Sequence, residues 1–327
     1  MTPRRQFLSA ATFAAGAAAI GTSSRSVLGN EPATIGATES DSVAPVKFAL
    51  NTSTIRGQKL SITQQIEVTS KAGYDGIEPW LRDIDRYVDE GGQLSDLRKR
   101  IEDAGLFVAS AIGFANWIDD DESVRASGLE TARRDMGRIA ELGGQLIAAP
   151  PIGAHKSDSA SPPLDTIAAR YRELCKCGQA VGVRPQLELW GLSPTLHKLG
   201  ELAYVAAEAA HPFACVLPDF YHIYKGGNDF ASLAMIEASR MFCFHINDYP
   251  AMPPQPKIGD RDRIFPGDGI CPLPQVIRSL VDAGFKGTFS LELFNPEYWK
   301  RAALEVGLEG LEKSRTVVRQ AMEFDLG

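Results

Sequence analysis

LDTIAARYRELCKCGQAVGVRPQLELW (164–190) reads as a helix feeding a short strand, and this unit decides the fold. The helical pattern runs from Leu164 to about Ala180, and the strand is RPQLELW (184–190). Side chains alternate across a strand, so Gln186, Glu188 and Trp190 share one face while Leu187 and Leu189 take the other. A carboxylate on such a strand costs several kcal/mol when buried, unless it is paired or bound to a cation.

The same unit recurs on both sides. The other expected strands are VKFALNTST (46–54), GIEPW (76–80), FVASAIGF (107–114), QLIAAPPI (145–152), FACVLPD (213–219), MFCFHIN (241–247) and GTFSLELF (287–294). Helical patterns fall between them, from about Ser61 to Ala72, Leu94 to Ala104, Asp121 to Leu142, Pro194 to Ala210, 229–239 and 272–283, with a closing helix from Pro296 to Glu323. Glycines at 73, 105 and 284 end three of these helices, where a left-handed residue is needed. Strands alternating with helices form a parallel sheet, and eight such units predict an α/β fold, a closed (β/α)8 TIM barrel in one domain over 46–327. A doubly wound sheet is the rival, but no Gly-rich phosphate turn follows the first strand.

Four strand ends carry chemistry. Glu188, Asp219, His245 and Glu292 lie on the fifth to eighth strands, and for Glu188, His245 and Glu292 strand parity points the side chain inward. Active sites of this fold lie at the carboxyl ends of the strands. Three carboxylates and one imidazole suit one divalent metal ion, Mn2+, Zn2+, Co2+ or Mg2+. His222 and Arg263 are candidates for contact with the substrate. So are Glu78, Trp117 and Trp190, since aromatic walls grip sugar rings. The long segment 247–270 around Arg263 has the length of a functional loop.

The N-terminus stands apart. Arg4-Arg5-Gln6-Phe7-Leu8 followed by a small apolar run predicts a twin-arginine-type signal peptide over 1–30 and a linker over 31–45, hence export to the periplasm. The net charge is −7, and the first thirty residues hold three arginines and no acid, so the rest is near −10. An acidic body argues against a nucleic-acid partner. No later segment is apolar enough for a stable membrane span. Five cysteines are an odd count; Cys215 and Cys243 fall in expected strands as core filler, and Cys175 and Cys177 face different ways on one helix.

The Glu–Asp–His–Glu set, Asp219-x-x-His222, Arg263-x-x-Pro266-Gly267, GYDGIEPW (73–80) and SLELFNPEYWK (290–300) together resemble the xylose-isomerase-like sugar isomerase/epimerase superfamily, and within it the 2-keto-myo-inositol (inosose) isomerases. The likeness covers about 46–320. It implies that Glu188, Asp219, His245 and Glu292 hold the metal, that Glu188 and Glu292 are the catalytic acid/base pair, and that His222 and Arg263 touch substrate. Ketose 3-epimerases of this group carry a further Glu shortly after the fifth-strand ligand, where this chain reads Gly191-Leu192-Ser193-Pro194. The expected reaction is isomerisation or epimerisation of a keto-polyol or sugar, by proton abstraction beside a carbonyl and an enediolate held by the metal. A dehydratase or lyase would use the same site, and a non-catalytic exported sugar-binding protein is a further alternative. A metal-cluster phosphodiesterase of the same barrel would need more than the five histidines present. The partner expected is a small sugar or keto-polyol, in a chain compatible with a homodimer or tetramer.

Overall fold

A computed structural model describes residues 46–324. The signal and linker expected over 1–45 lie outside the described residues. Eight parallel strands follow one another: β1 (Lys47–Asn51), β2 (Gly76–Glu78), β3 (Phe107–Val108), β4 (Leu146–Ala149), β5 (Arg184–Glu188), β6 (Cys215–Leu217), β7 (Cys243–Ile246) and β8 (Thr288–Leu291). They pair as β3-β2-β1-β8-β7 and β4-β5-β6. Two junctions join these sheets into a closed ring. The parallel bridges Val216–Met241 and Asp219–His245 link β6 to β7. The Ala148 N–H donates to the Ala111 carbonyl at 2.8 Å, linking β4 to the end of β3. The expected (β/α)8 barrel is the fold observed.

The helices are α1 (Ile62–Lys71), α2 (Leu81–Asp89), α3 (Leu94–Asp103), α4 (Glu122–Glu141), α5 (Leu164–Val181), α6 (Leu199–Glu208), α7 (Phe220–Lys225), α8 (Leu273–Asp282) and α9 (Ala303–Glu323). Gly73, Gly105 and Gly284 take φ of 85°, 72° and 93°, as expected after helix ends. Helices α2 and α7 are additions to the sequence reading. Helix α2 is nine residues long and buries only Leu81 and Ile84 as apolar side chains, too few to mark it in the sequence. Helix α7 is six residues long and starts because the Asp219 carboxylate caps it. The helix expected over 229–239 is instead two 3-10 turns, Phe230–Met235 and Ala238–Arg240, with extended backbone between them. The helix expected from Pro194 begins only at Leu199.

Parity sorts the side chains as expected. Leu187, Leu189, Phe244, Ile246, Phe289, Leu291 and Leu293 pack outward into the main core with the helices. Trp80, Ile112, Ala148, Leu217 and Cys243 form a separate small cluster inside the barrel. Register then fixes the levels of the polar residues: Asn51 pairs with Glu78, His245 with Ser290, and Glu188 with Leu217. All five cysteines are buried and free.

Candidate active site

His245 is the hub of the barrel mouth. It is fully buried, and its Nε2 lies 3.1 and 3.3 Å from the two Glu78 oxygens. Its Nδ1 faces Glu292 Oε2 at 3.2 Å, Asp219 Oδ2 at 3.6 Å and Glu188 Oε1 at 3.9 Å. None of these meets Nδ1 in hydrogen-bonding geometry, and the atom has no such partner among the described residues. Two ligands of one ion, with bonds of about 2.1 Å, sit about 3 to 4.2 Å apart. The three separations fit that window, and donor atoms of Asp219, His245 and Glu292 all lie within 4.8 Å of one another.

The carboxylates are individually braced. Asp219 ends β6 and caps α7, so its Oδ1 accepts the His222 N–H at 2.8 Å while Oδ2 faces the mouth. That Oδ2 accepts from Asn247 Nδ2 at 3.1 Å and Arg263 Nη1 at 2.8 Å. Arg263 Nη1 also donates to Glu292 Oε2 at 2.9 Å, and Nη2 to Asp260 Oδ1 at 2.7 Å. The same Nη2 stands 3.0 Å from His222 Nε2, and the guanidinium lies over the Tyr221 ring. Arginine is thus one of the largest fully buried side chains of the protein, tolerated because three carboxylates surround it.

Electrostatics separates the acids. Burial pushes the Glu188 carboxyl up to about 8; His245 opposes this, while Glu292 and Asp219 add to it. Burial alone would raise Asp219, but Arg263, His222 and His245 override it and hold the group below its ordinary value. Glu78 is likewise lowered despite burial, by His245, Ser290 and Asn51. Burial opposes the charged form of His245, yet Glu292 and Glu78 raise it well above its usual value. Burial and then the Arg263 charge lower His222.

Two sequence expectations are corrected. Trp117 does not reach the mouth: it is buried in the core, with its ring 5.9 Å from Tyr171 and its indole donating to the Pro150 carbonyl at 2.7 Å. Glu78 is fully buried and does not line the cavity; its carboxylate faces His245 Nε2 and orients that ring. Trp190, His222 and Arg263 do line the mouth, together with Glu188 and Glu292, in a cavity of about 250 Å3. Trp80, Phe114 and Phe294 complete its aromatic wall, with His155 edge-on to Trp190 at 5.8 Å. Two larger grooves, about 460 and 470 Å3, flank the 230–240 segment on the barrel's flank and hold no converging carboxylates. The small cavity is therefore the candidate site, sized for one compact ring.

The sequence reading missed Asn51, Ser290 as a partner, and Asp260. Asn51 Nδ2 bridges Glu78 at 2.9 Å and Glu292 at 3.1 Å, while its Oδ1 accepts from the Trp80 indole at 2.9 Å and from the Ser53 N–H at 3.0 Å. Ser290 donates to Glu78 Oε2 at 2.6 Å. The available signal for Asn51 was a polar residue at the carboxyl end of β1; a search for ionisable groups passes over an amide.

Residues 66–318 match the xylose isomerase-like TIM barrel family. Among curated relatives, the inosose isomerase of Bacillus velezensis is 27% identical over 266 residues, 79% of this chain and 92% of that protein. The 3-dehydroshikimate dehydratase of Pseudomonas putida is 21% identical over 253 residues, 77% of this chain but 39% of that protein. Among solved structures, the IolI protein with a bound zinc atom superposes with a TM-score of 0.78 at 21% identity, covering 85% of this chain and all of that one.

Proposed function

The chain belongs to the xylose isomerase-like TIM barrel family, and from that premise we propose that it is a divalent-metal-dependent isomerase of a keto-polyol or sugar, acting on an inosose-like ring by proton transfer beside a carbonyl. The observation that carries this reading is His245 Nδ1, unpartnered in hydrogen-bonding geometry and facing Glu188, Asp219 and Glu292 at distances one ion can span. Oxygen-rich donors with one imidazole fit a zinc- or manganese-type cation. When bound, such an ion polarises a carbonyl and makes the adjacent C–H more acidic.

The remaining steps fall to the chain's own groups. Glu78 fixes the His245 ring through Nε2, which leaves Nδ1 turned to the carboxylates. Glu292, steadied by Asn51 and Arg263, is placed to take the proton from the carbon beside the carbonyl. Glu188, whose carboxyl is pushed up to about 8 by burial, can hold or deliver a proton at the neighbouring carbon. One C–H breaks and another forms, so the reaction needs no redox partner. His222 and Arg263 line the cavity where substrate oxygens would lie, and the aromatic wall covers the ring and excludes water. General acid/base catalysis of this kind contributes about 10²–10⁴ in rate.

Loss of water is the second reading, favoured by the likeness to a dehydratase and by a Glu188 able to protonate a leaving hydroxyl. Proton NMR in D2O tests both. Metal-loaded protein should place solvent deuterium beside the carbonyl of a keto-inositol; a dehydratase would release an enone instead. Chelation should stop either reaction. Glu292→Gln should keep the fold and lose exchange; full exchange in that variant refutes the proton-transfer role.

A further inference from the structure

Two arginines pack against aromatic residues of this cavity's wall, without a hydrogen-bonded counter-charge. The Arg56 guanidinium, on the 3-10 turn that follows β1, lies 5.4 Å from the Trp80 ring, 5.2 Å from Phe294 and 5.0 Å from Trp299. The Arg82 guanidinium, at the start of α2, lies over Trp80 at 4.3 Å. Trp80 and Phe294 line the cavity, so both cations lie beside its aromatic wall. Neither guanidinium makes a hydrogen bond or ion pair among the described residues. The acids near them are engaged elsewhere. Asp83 accepts from Gln65 and pairs with Arg86 at 3.6 Å. Asp260 and Glu292 are both held by Arg263.

We propose that Arg56 and Arg82 form an outer subsite for an anionic group on the substrate, a carboxylate or a phosphate. This deepens the reading of the cavity as an active site and rests on it. Two like charges around one tryptophan repel each other, and burial together with the Arg82 charge lowers Arg56. An oxyanion bound beside them would offset that repulsion, and planar guanidinium groups match its geometry. Stacking on aromatic rings holds both forks in place before a ligand arrives. Glu188 and Glu292 line the cavity, where a neutral keto-diol would react, and the two guanidinium groups lie against Trp80, another lining residue. A substrate with its anion on the side away from the reacting carbons would meet both. Bracing of the rim by cation–π contact alone is the competing account, and it predicts no preference for charge.

Calorimetric titration of the metal-loaded full chain with matched probes decides between them. One pair is a ketohexose and its terminal phosphate; the other is 3-dehydroshikimate and the same ring without its carboxylate. The anionic member of at least one pair should bind about tenfold tighter, and the pair that shows it names the anion. The preference should shrink at high salt and fall toward one in the Arg56→Gln/Arg82→Gln protein. Equal affinities within both pairs, no binding of any probe, or a preference that survives in the double variant would overturn the proposal. Arg82→Gln alone, an exposed position, gives the same reading if the double variant folds poorly. Binding without deuterium exchange would count against the isomerase reading and leave the subsite standing. Exchange without a charge preference would do the reverse.

Discussion

Asn51→Leu tests the site's architecture at its least conspicuous residue. The amide is fully buried and every hydrogen-bonding position is used: two N–H donors to Glu78 and Glu292, two acceptor positions filled by Trp80 and Ser53. Leucine has nearly the same shape and none of these capacities. Glu78 keeps His245 and Ser290, and Glu292 keeps Arg263, so each carboxylate loses one bond of several. The Trp80 indole and the Ser53 N–H lose their acceptor outright. With about 1–3 kcal/mol for each orphaned donor and about 1 kcal/mol for each weakened carboxylate, the loss is about 4–8 kcal/mol. That is a large part of the ~5–15 kcal/mol that holds a typical domain. The assay is urea unfolding followed by tryptophan fluorescence, with metal affinity measured in parallel. Affinity should fall about 10–100-fold, because Asn51 steadies both Glu292 and the carboxylate behind His245. Asn51→Asp sharpens the test. It keeps the acceptor side but sets a third carboxyl against Glu78 and Glu292, so it must stay protonated to fit. Its folded pKa is then raised, and its contribution is present in acid and lost as pH rises. Asn51→Leu within about 1 kcal/mol of the parent, with unchanged metal affinity, would refute this account of the site.

Further outcomes follow from single groups. In chelated protein, Glu188 has a folded pKa of about 8 against 4.5 for the free side chain, so its ionised form is the costly one; stability should fall between those pH values, and Glu188→Gln should flatten the curve. An unchanged pH profile in that variant would remove the basis for its acid role. Trp117→Ala should cost about 3–5 kcal/mol of stability without changing the KM for exchange, whereas Trp190→Ala should raise KM with little loss of stability. The reverse pattern would put Trp117 back in the site. Asp248→Ala removes the acceptor that gathers the N–H groups of Tyr249, Gly267, Gly269 and Cys271 at 2.8–3.0 Å. The segment carrying Arg263 should then be cut faster in limited proteolysis, with a raised KM; an unchanged cleavage rate would show that the Asp248–Ile264 ladder holds it unaided.

The fold was legible because period-two alternation and left-handed glycines are local signals. RPQLELW, MFCFHIN and TFSLELF each carry their inward and outward faces in the order of their residues, and Gly73, Gly105 and Gly284 mark helix ends by conformation alone. Short elements were not legible: α2 is nine residues long and buries only Leu81 and Ile84 as apolar side chains, and α7 is six residues long and set by one capping carboxylate. Trp117 was misplaced for a related reason. The strand expected over 107–114 pairs regularly only through Phe107–Val108, so its parity could not be carried forward to residue 117.

By itself the sequence determined that Glu188, His245 and Glu292 face one enclosed space, because alternation along a strand needs no knowledge of its neighbours. It also placed Asp219 at the end of the sixth strand and Arg263 on a loop at the same end of the barrel. Only the tertiary structure decided which groups meet. Strand register set Asn51 beside Glu78 and Ser290 beside His245, and so turned Glu78 from a substrate contact into the partner of His245 Nε2. The folding of the 247–271 segment over the mouth brought Arg263 between Asp219 and Glu292, and the turn after β1 brought Arg56 to the wall it shares with Arg82. These are pairings across as many as 241 positions of sequence. Their distances depend on register, loop path and the need to satisfy buried charge together, none of which is written in any one segment.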